Sequence, residues 1–129
     1  MCFAFDARPP DLPADLVHPR MAGGAGAEKL ELTSADGTVF SAALAESGDD
    51  ARGPGVIILP DVRGLYRFYI ELAERFAQAG HHAIAIDYFG RTAGTGERDG
   101  DWEYMPHVEQ TLLSQIQADA DASRAALAE

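Results

Sequence analysis

The rhythm of apolar and polar positions changes several times along the chain, and each change predicts an element. Lys29-Leu30-Glu31-Leu32-Thr33 and Thr38-Val39-Phe40-Ser41-Ala42-Ala43-Leu44 flank Ala35-Asp36-Gly37. Asp-Gly between two such segments is a strong hairpin signal, so two antiparallel strands are expected here. Gly55 to Pro60 is apolar without alternation, the mark of a strand covered on both faces. From Tyr66 to Ala79 apolar residues recur at helical spacing, at Phe68, Leu72, Phe76 and Ala79 with Ala73 and Ala77 beside them, and Gly80 stands at the expected stop. Ala83 to Asp87 then repeats the buried-strand pattern. Residues 55–87 therefore predict a parallel strand, helix, strand unit with a right-handed crossover.

The flanking segments have other textures. Residues 1–27 hold four of the seven prolines and end in a small-residue run, which predicts an irregular N-terminal arm, followed by one folded unit over 28–129. Glu46 to Pro54 is a polar loop, and Tyr88 to Pro106, with four glycines, is long enough to suggest a binding loop. From about His107, the positions Val108, Leu112, Ile116, Ala120 and Leu127 predict one further helix of about 20 residues, roughly 30 Å long. No strand follows it. The two central-type strands would each be left with an unpaired edge, so a C-terminal half or a complementary chain is expected to complete the sheet.

Composition narrows the class. At 129 residues, with 47% hydrophobic and 24% charged positions, the chain is long enough for one domain with a core. No apolar run approaches the roughly 20 residues that cross a bilayer. The net charge of -11 repels a phosphate backbone, which argues against nucleic acid as a partner. The first residues lack the basic and apolar regions of a secretory signal, so a cytoplasmic location is expected. Cys2 is the one cysteine and reads as incidental.

In open α/β sheets, ligands bind beyond the carboxyl ends of the strands. If the strands at 55–60 and 83–87 run parallel, Asp61, Val62 and Arg63 share one sheet edge with Asp87, Tyr88 and Arg91. The turn after Pro60 would leave the Val62 backbone N–H free to meet a ligand oxygen. The plainer alternative is that Asp61 caps the helix beginning near Leu65 and that Arg63 is solvated. Arg91, just past the second strand, could clamp a carboxylate, although an exposed loop arginine is more often only hydrated. His81 and His82 fall at the opposite edge and read as structural. His18 and His107 have no partner at ligand spacing, so neither a metal nor a cofactor is expected. The glycines of 90–100 do not open directly from strand to helix and fail as a nucleotide fingerprint. The acids Glu97, Asp99, Asp101 and Glu103 read as a solvated run. No serine or cysteine sits in a Gly-x-Ser-x-Gly-type elbow, so no hydrolytic nucleophile is evident.

Taken together, Ala35-Asp36-Gly37-Thr38, Pro60-Asp61-Val62-Arg63-Gly64, Phe76-Ala77-Gln78-Ala79-Gly80 and Asp87-Tyr88-Phe89-Gly90-Arg91 resemble the dienelactone hydrolase family over about residues 28–127. The resemblance implies an α/β-hydrolase fold and hydrolysis of a carboxylic ester or lactone. It implies a cysteine or serine nucleophile, with aspartate and histidine partners, lying beyond Glu129. By the same resemblance Asp61 stands where the family usually has a glutamate that contacts the nucleophile, one methylene longer. The Val62 N–H would be an oxyanion-hole donor and Arg91 the holder of the substrate carboxylate.

Two readings follow. In the first, the chain is the N-terminal half of a dienelactone-hydrolase-like enzyme, truncated, incomplete or split, and inactive alone. In the second, it is a non-catalytic α/β module in which Asp61, Val62 and Arg91 bind a small carboxylate.

Overall fold

The computed structural model describes Ala4 and residues 6–17, 26–48, 51, 53–98 and 101–128. Cys2, His18 and Asp99 lie outside the described residues. Four strands, β1 (Ala27–Thr33), β2 (Val39–Ala45), β3 (Val56–Ile58) and β4 (Ala83–Ile86), form one sheet in the order β1-β2-β4-β3. β1 and β2 are antiparallel, with Thr33 opposite Val39 and Ala27 opposite Ala45. Their turn is closed by Ser34 N–H to Thr38 O (2.8 Å), with Gly37 at φ 85°. Such a positive φ is costly for any residue with a Cβ.

β3 and β4 are parallel, with Val56 opposite Ala83 and Ile58 opposite Ala85, and α1 (Arg67–Gln78) connects them. This is the α/β architecture expected from the sequence, a hairpin joined to a parallel strand-helix-strand unit. One expectation fails. β4 lies between β2 and β3 and is paired on both sides, because the hairpin docks antiparallel against it, Ala42 opposite Ile86. Among the described residues, the open edges belong to β1 and β3.

The sheet buries both faces. Ala83 and Ala85 of β4 face α1, where Phe68, Tyr69, Ala73 and Ala77 are buried and Leu72 and Phe76 flank them. Small residues on both sides let helix and sheet backbones come close together. Ile84 and Ile86 point the other way, with Phe40 and Ala42, against Ala122, Ala126 and Leu127.

These last residues belong to α4 (Leu113–Leu127), and here the sequence misled. The expected 20-residue helix is broken into α3 (Met105–Gln110) and α4 by extended backbone at Thr111 and Leu112. Side chains supply the missing caps. The Thr111 hydroxyl donates to His107 O (2.7 Å), and Gln115 Oε1 accepts from Leu112 N–H (3.0 Å). The expected stripe is also displaced: Leu112 is exposed, and the fully buried residues of α4 are Asp119 and Ser123. The loop after β4 contains a further single turn, α2 (Gly90–Ala93).

The described part of the N-terminal arm has no regular structure beyond a 3-10 turn at Ala14–Leu16, but it is clasped to α1. Arg8 donates to Glu71 through Nε (3.1 Å) and Nη2 (2.8 Å). Arg75 reaches Pro10 O (3.2 Å) and Asp11 (2.9 Å), and Arg67 reaches Asp6 O (3.0 Å). The paired hydrogen bonds from Arg8 explain why a glutamate is buried in the helix, and they hold its carboxyl below the ordinary range.

Gly90 is pressed against β2, where an added Cβ would sit 2.8 Å from both Phe40 Cβ and Val39 O. Gly90→Ala should therefore cost about 1–3 kcal/mol, as overpacking does. Gly96→Ala, with open space around it, should stay within about 0.5 kcal/mol of wild type in urea unfolding.

Candidate functional site

The parallel pairing of β3 and β4 brings the segments after Pro60 and Asp87 side by side, and the Tyr88 hydroxyl donates to Pro60 O (3.1 Å). After Pro60 the chain turns sharply, with Gly64 N–H to Asp61 O (3.0 Å) and Gly64 at φ 78°. Asp61 fixes this turn from within. Its Oδ1 accepts the Arg63 N–H (2.9 Å), a local aspartate turn. The Arg63 guanidinium then folds back on the same carboxylate, Nε to Oδ1 at 3.2 Å and Nη2 to Oδ2 at 2.7 Å, and also meets the Tyr66 hydroxyl and ring.

Arg63 is therefore neither solvated nor a bystander, and Asp61 caps its own turn. α1 begins without a side-chain cap at Tyr66. Burial opposes ionisation of Asp61, but the side-chain bonds, backbone N–H and charge of Arg63 outweigh it, and the carboxyl lies below its ordinary value. Burial pushes the neighbouring Tyr69 phenol up to about 12. The N–H of Val62 meets no acceptor among the described residues.

Arg91 stands on α2 and is employed elsewhere. Nε donates to Asp36 of the hairpin turn (2.6 Å), Nη1 to Asp119 of α4 (2.9 Å) and Nη2 to Ser34 Oγ (3.1 Å). The fully buried Asp119 and then Asp36 hold the guanidinium charge more firmly than usual, and Arg91 in turn pushes the Asp36 carboxyl well down. The polar partners of Arg91 and of Asp61 are separate sets, so the structure does not gather these two residues around one group of contacts. Among the described residues, no three His, Cys, Asp or Glu side chains cluster as a metal site.

A sequence profile of the "Dienelactone hydrolase family" matches residues 40–129, most of the chain. The chain belongs to the dienelactone hydrolase family. No curated protein matches it. Among solved structures it is similar to the Pyrococcus furiosus esterase Pf2001 in two space groups. In one the identity is 15% and the TM-score 0.49, covering 91% of this chain and 40% of that one. In the other the identity is 16% and the TM-score 0.48, with 90% and 39% covered. The chain thus spans about two fifths of the length of the structures it matches.

Around this family member's strand ends, the structure gives Asp87, which the sequence placed at this edge, a partner that the sequence did not single out, Arg98. Asp87, the first position after β4, accepts the Phe89 N–H on Oδ1 (3.0 Å) and pairs through Oδ2 with Arg98 at 2.5 Å, and both side chains are buried. Arg98 also lies over the Trp102 ring, 4.6 Å from its centroid, and Trp102 stacks on His107. Gly64 makes room for this pair, since a Cβ there would collide with Arg98 Nη1. An acid closing a buried strand, a glycine in the facing turn and an arginine in the next loop were the available signals. Their spacing of more than ten residues on either side hid the pairing of Asp87 with Arg98.

No helix among the described residues is long and apolar enough to cross a membrane. His82 accepts the Ser47 N–H on Nδ1 (3.1 Å) at the amino-terminal end of β4, the opposite edge from Asp61 and Asp87.

Two outcomes are expected. Arg91→Ala leaves the Asp119 charge buried without its partner and should cost about 3–5 kcal/mol. Adding Asp119→Ala should recover part of that loss in a double-mutant cycle by denaturant unfolding. Asp61 titrates lower folded than unfolded, so its contribution is complete above about pH 4 and is lost as pH falls through the folded value. The stability difference between wild type and Asp61→Asn should accordingly be largest near neutral pH and shrink as the solution is acidified through the lowered folded-state value.

Proposed function

We propose that this chain forms the N-terminal half of a dienelactone-hydrolase-like enzyme that cleaves an ester or lactone of a small carboxylate-bearing substrate. The nucleophile and its histidine and aspartate partners are contributed from outside the chain. The observation that carries the reading is the Val62 N–H, unpartnered among the described residues and held at the end of a parallel strand by a turn that Asp61 and Arg63 lock. A backbone donor fixed in advance can stabilise a developing oxyanion without reorganising at the moment of reaction.

In this reading Asp61 remains ionised beside Arg63 and offers its carboxylate to the incoming nucleophile. Arg91 takes the substrate carboxylate, which requires the exposed Asp36 to give up its place on Nε. The reaction is acyl transfer to the nucleophile followed by transfer to water.

The 129-residue chain should hydrolyse p-nitrophenyl acetate no faster than buffer. If the reading frame continues past Glu129 into Gly-x-Cys-x-Gly or Gly-x-Ser-x-Gly, the longer product should turn it over. Asp61→Ala should then lower kcat/KM by about 10²-fold or more. Turnover by the 129-residue chain that Asp61→Ala abolishes would overturn the proposal.

A further inference from the structure

Arg98 is over nine-tenths buried, with a side-chain exposure of 6%. Among the described residues, its hydrogen-bonding partner is Asp87, reached through Nη1. Nε and Nη2 are shut off from solvent and have no hydrogen-bond partner. These two nitrogens are the ones whose N–H bonds point the same way in a guanidinium, the side-on fork that fits the two oxygens of a carboxylate. An empty buried fork is costly, because each unmet N–H gives up its hydration for nothing. The arginine is fixed in this posture by Asp87 on one side and the face of Trp102 on another.

The side chain borders two adjoining hollows between the hairpin, the start of α1 and the segment Thr95–Arg98, with volumes of about 230 and 390 Å³. Leu30, Leu65 and Ile70 give them apolar walls. The rim beside Arg98 is lightly held, by the Ser41 hydroxyl on Thr95 O (3.1 Å) and by an exposed Lys29–Glu97 pair (3.1 Å). Exposed pairs of this kind contribute little, so the rim can yield to an entering molecule.

We infer that the Arg98 fork is a binding site for a small monocarboxylate with an apolar body. Charge selects the class. Asp87 is answered by Arg98, Glu97 by Lys29, and Arg67 is engaged with Asp6 O and Glu71, while Glu31 on the same wall opposes a doubly charged phosphate about twice as strongly as a single carboxylate. A single carboxylate fills the fork and places its apolar part against the leucines. The site is distinct in its residues from Asp61, Val62 and Arg91, and it stands whether or not a completed protein cleaves an ester.

Trp102 is the sole tryptophan, so binding can be read on the purified chain by fluorescence. Cyclohexanecarboxylate should change the emission saturably, and the isosteric cyclohexanecarboxamide should not. Arg98→Lys keeps the charge but loses the fork, and should weaken the apparent affinity about tenfold or more. In the wild-type chain, titration with the carboxylate should move one arginine Nε–H resonance downfield in a ¹⁵N correlation spectrum, a readout that needs no variant to fold. Equal responses to acid and amide, an unchanged affinity in folded Arg98→Lys, or no moving Nε–H resonance would each overturn the inference.

Discussion

Hydrogen bonding along both sides of Ala83–Ile86 is the constraint on which the rest of the molecule depends. Through this one short strand the hairpin is joined antiparallel and β3 is joined parallel. Its alternation of alanine and isoleucine divides the core between the two helical layers. The alanines accept α1 at close range, and the isoleucines fill the space under α4. Because β3 runs the same way, Pro60 and Asp87 end together, and every group of chemical interest near the strand ends inherits its position from that register.

The second organising force is electrostatic. The chain carries 21 acids against ten bases, and all the bases except Lys29 are arginines. Arginines are placed at joints: the exposed Arg8 binds the arm to α1, and the largely buried Arg63, Arg91 and Arg98 lock the turn after β3, tie hairpin, α2 and α4 together, and hold the loop after β4. A planar fork that can meet two acceptors at once suits such joints better than an ammonium. Acids in excess supply the acceptors. They also explain how carboxylates such as Glu71, Asp87 and Asp119 come to lie inside a small protein.

Local signals made the framework legible. The Asp-Gly turn, the two runs without alternation and the Gly80 stop announced β1, β2, β3, α1 and β4, because each depends on neighbouring residues. The sequence did not reveal how distant segments satisfy one another. The docking of the hairpin against β4 leaves no mark on periodicity. The break at Thr111–Leu112 arises from side chains that replace backbone partners at a position whose apolar spacing continues across it. Arg91 is more constrained than a loop arginine looks in sequence, because its partners come from Ser34, Asp36 and Asp119, far apart along the chain. The turn at Asp61 to Gly64 was legible as a turn, while its internal arginine clasp was not.

The clasp between the N-terminal arm and α1 bears on where the protein can be cut. The likeness to the family begins at residue 40, one residue into β2. A piece trimmed to that limit would lose β1 entirely, the hairpin turn that anchors Arg91, and the arginine that neutralises Glu71. Boundaries inferred from shared ancestry would thus fall inside the folding unit, and workable ones have to enclose the proline-rich leader as well.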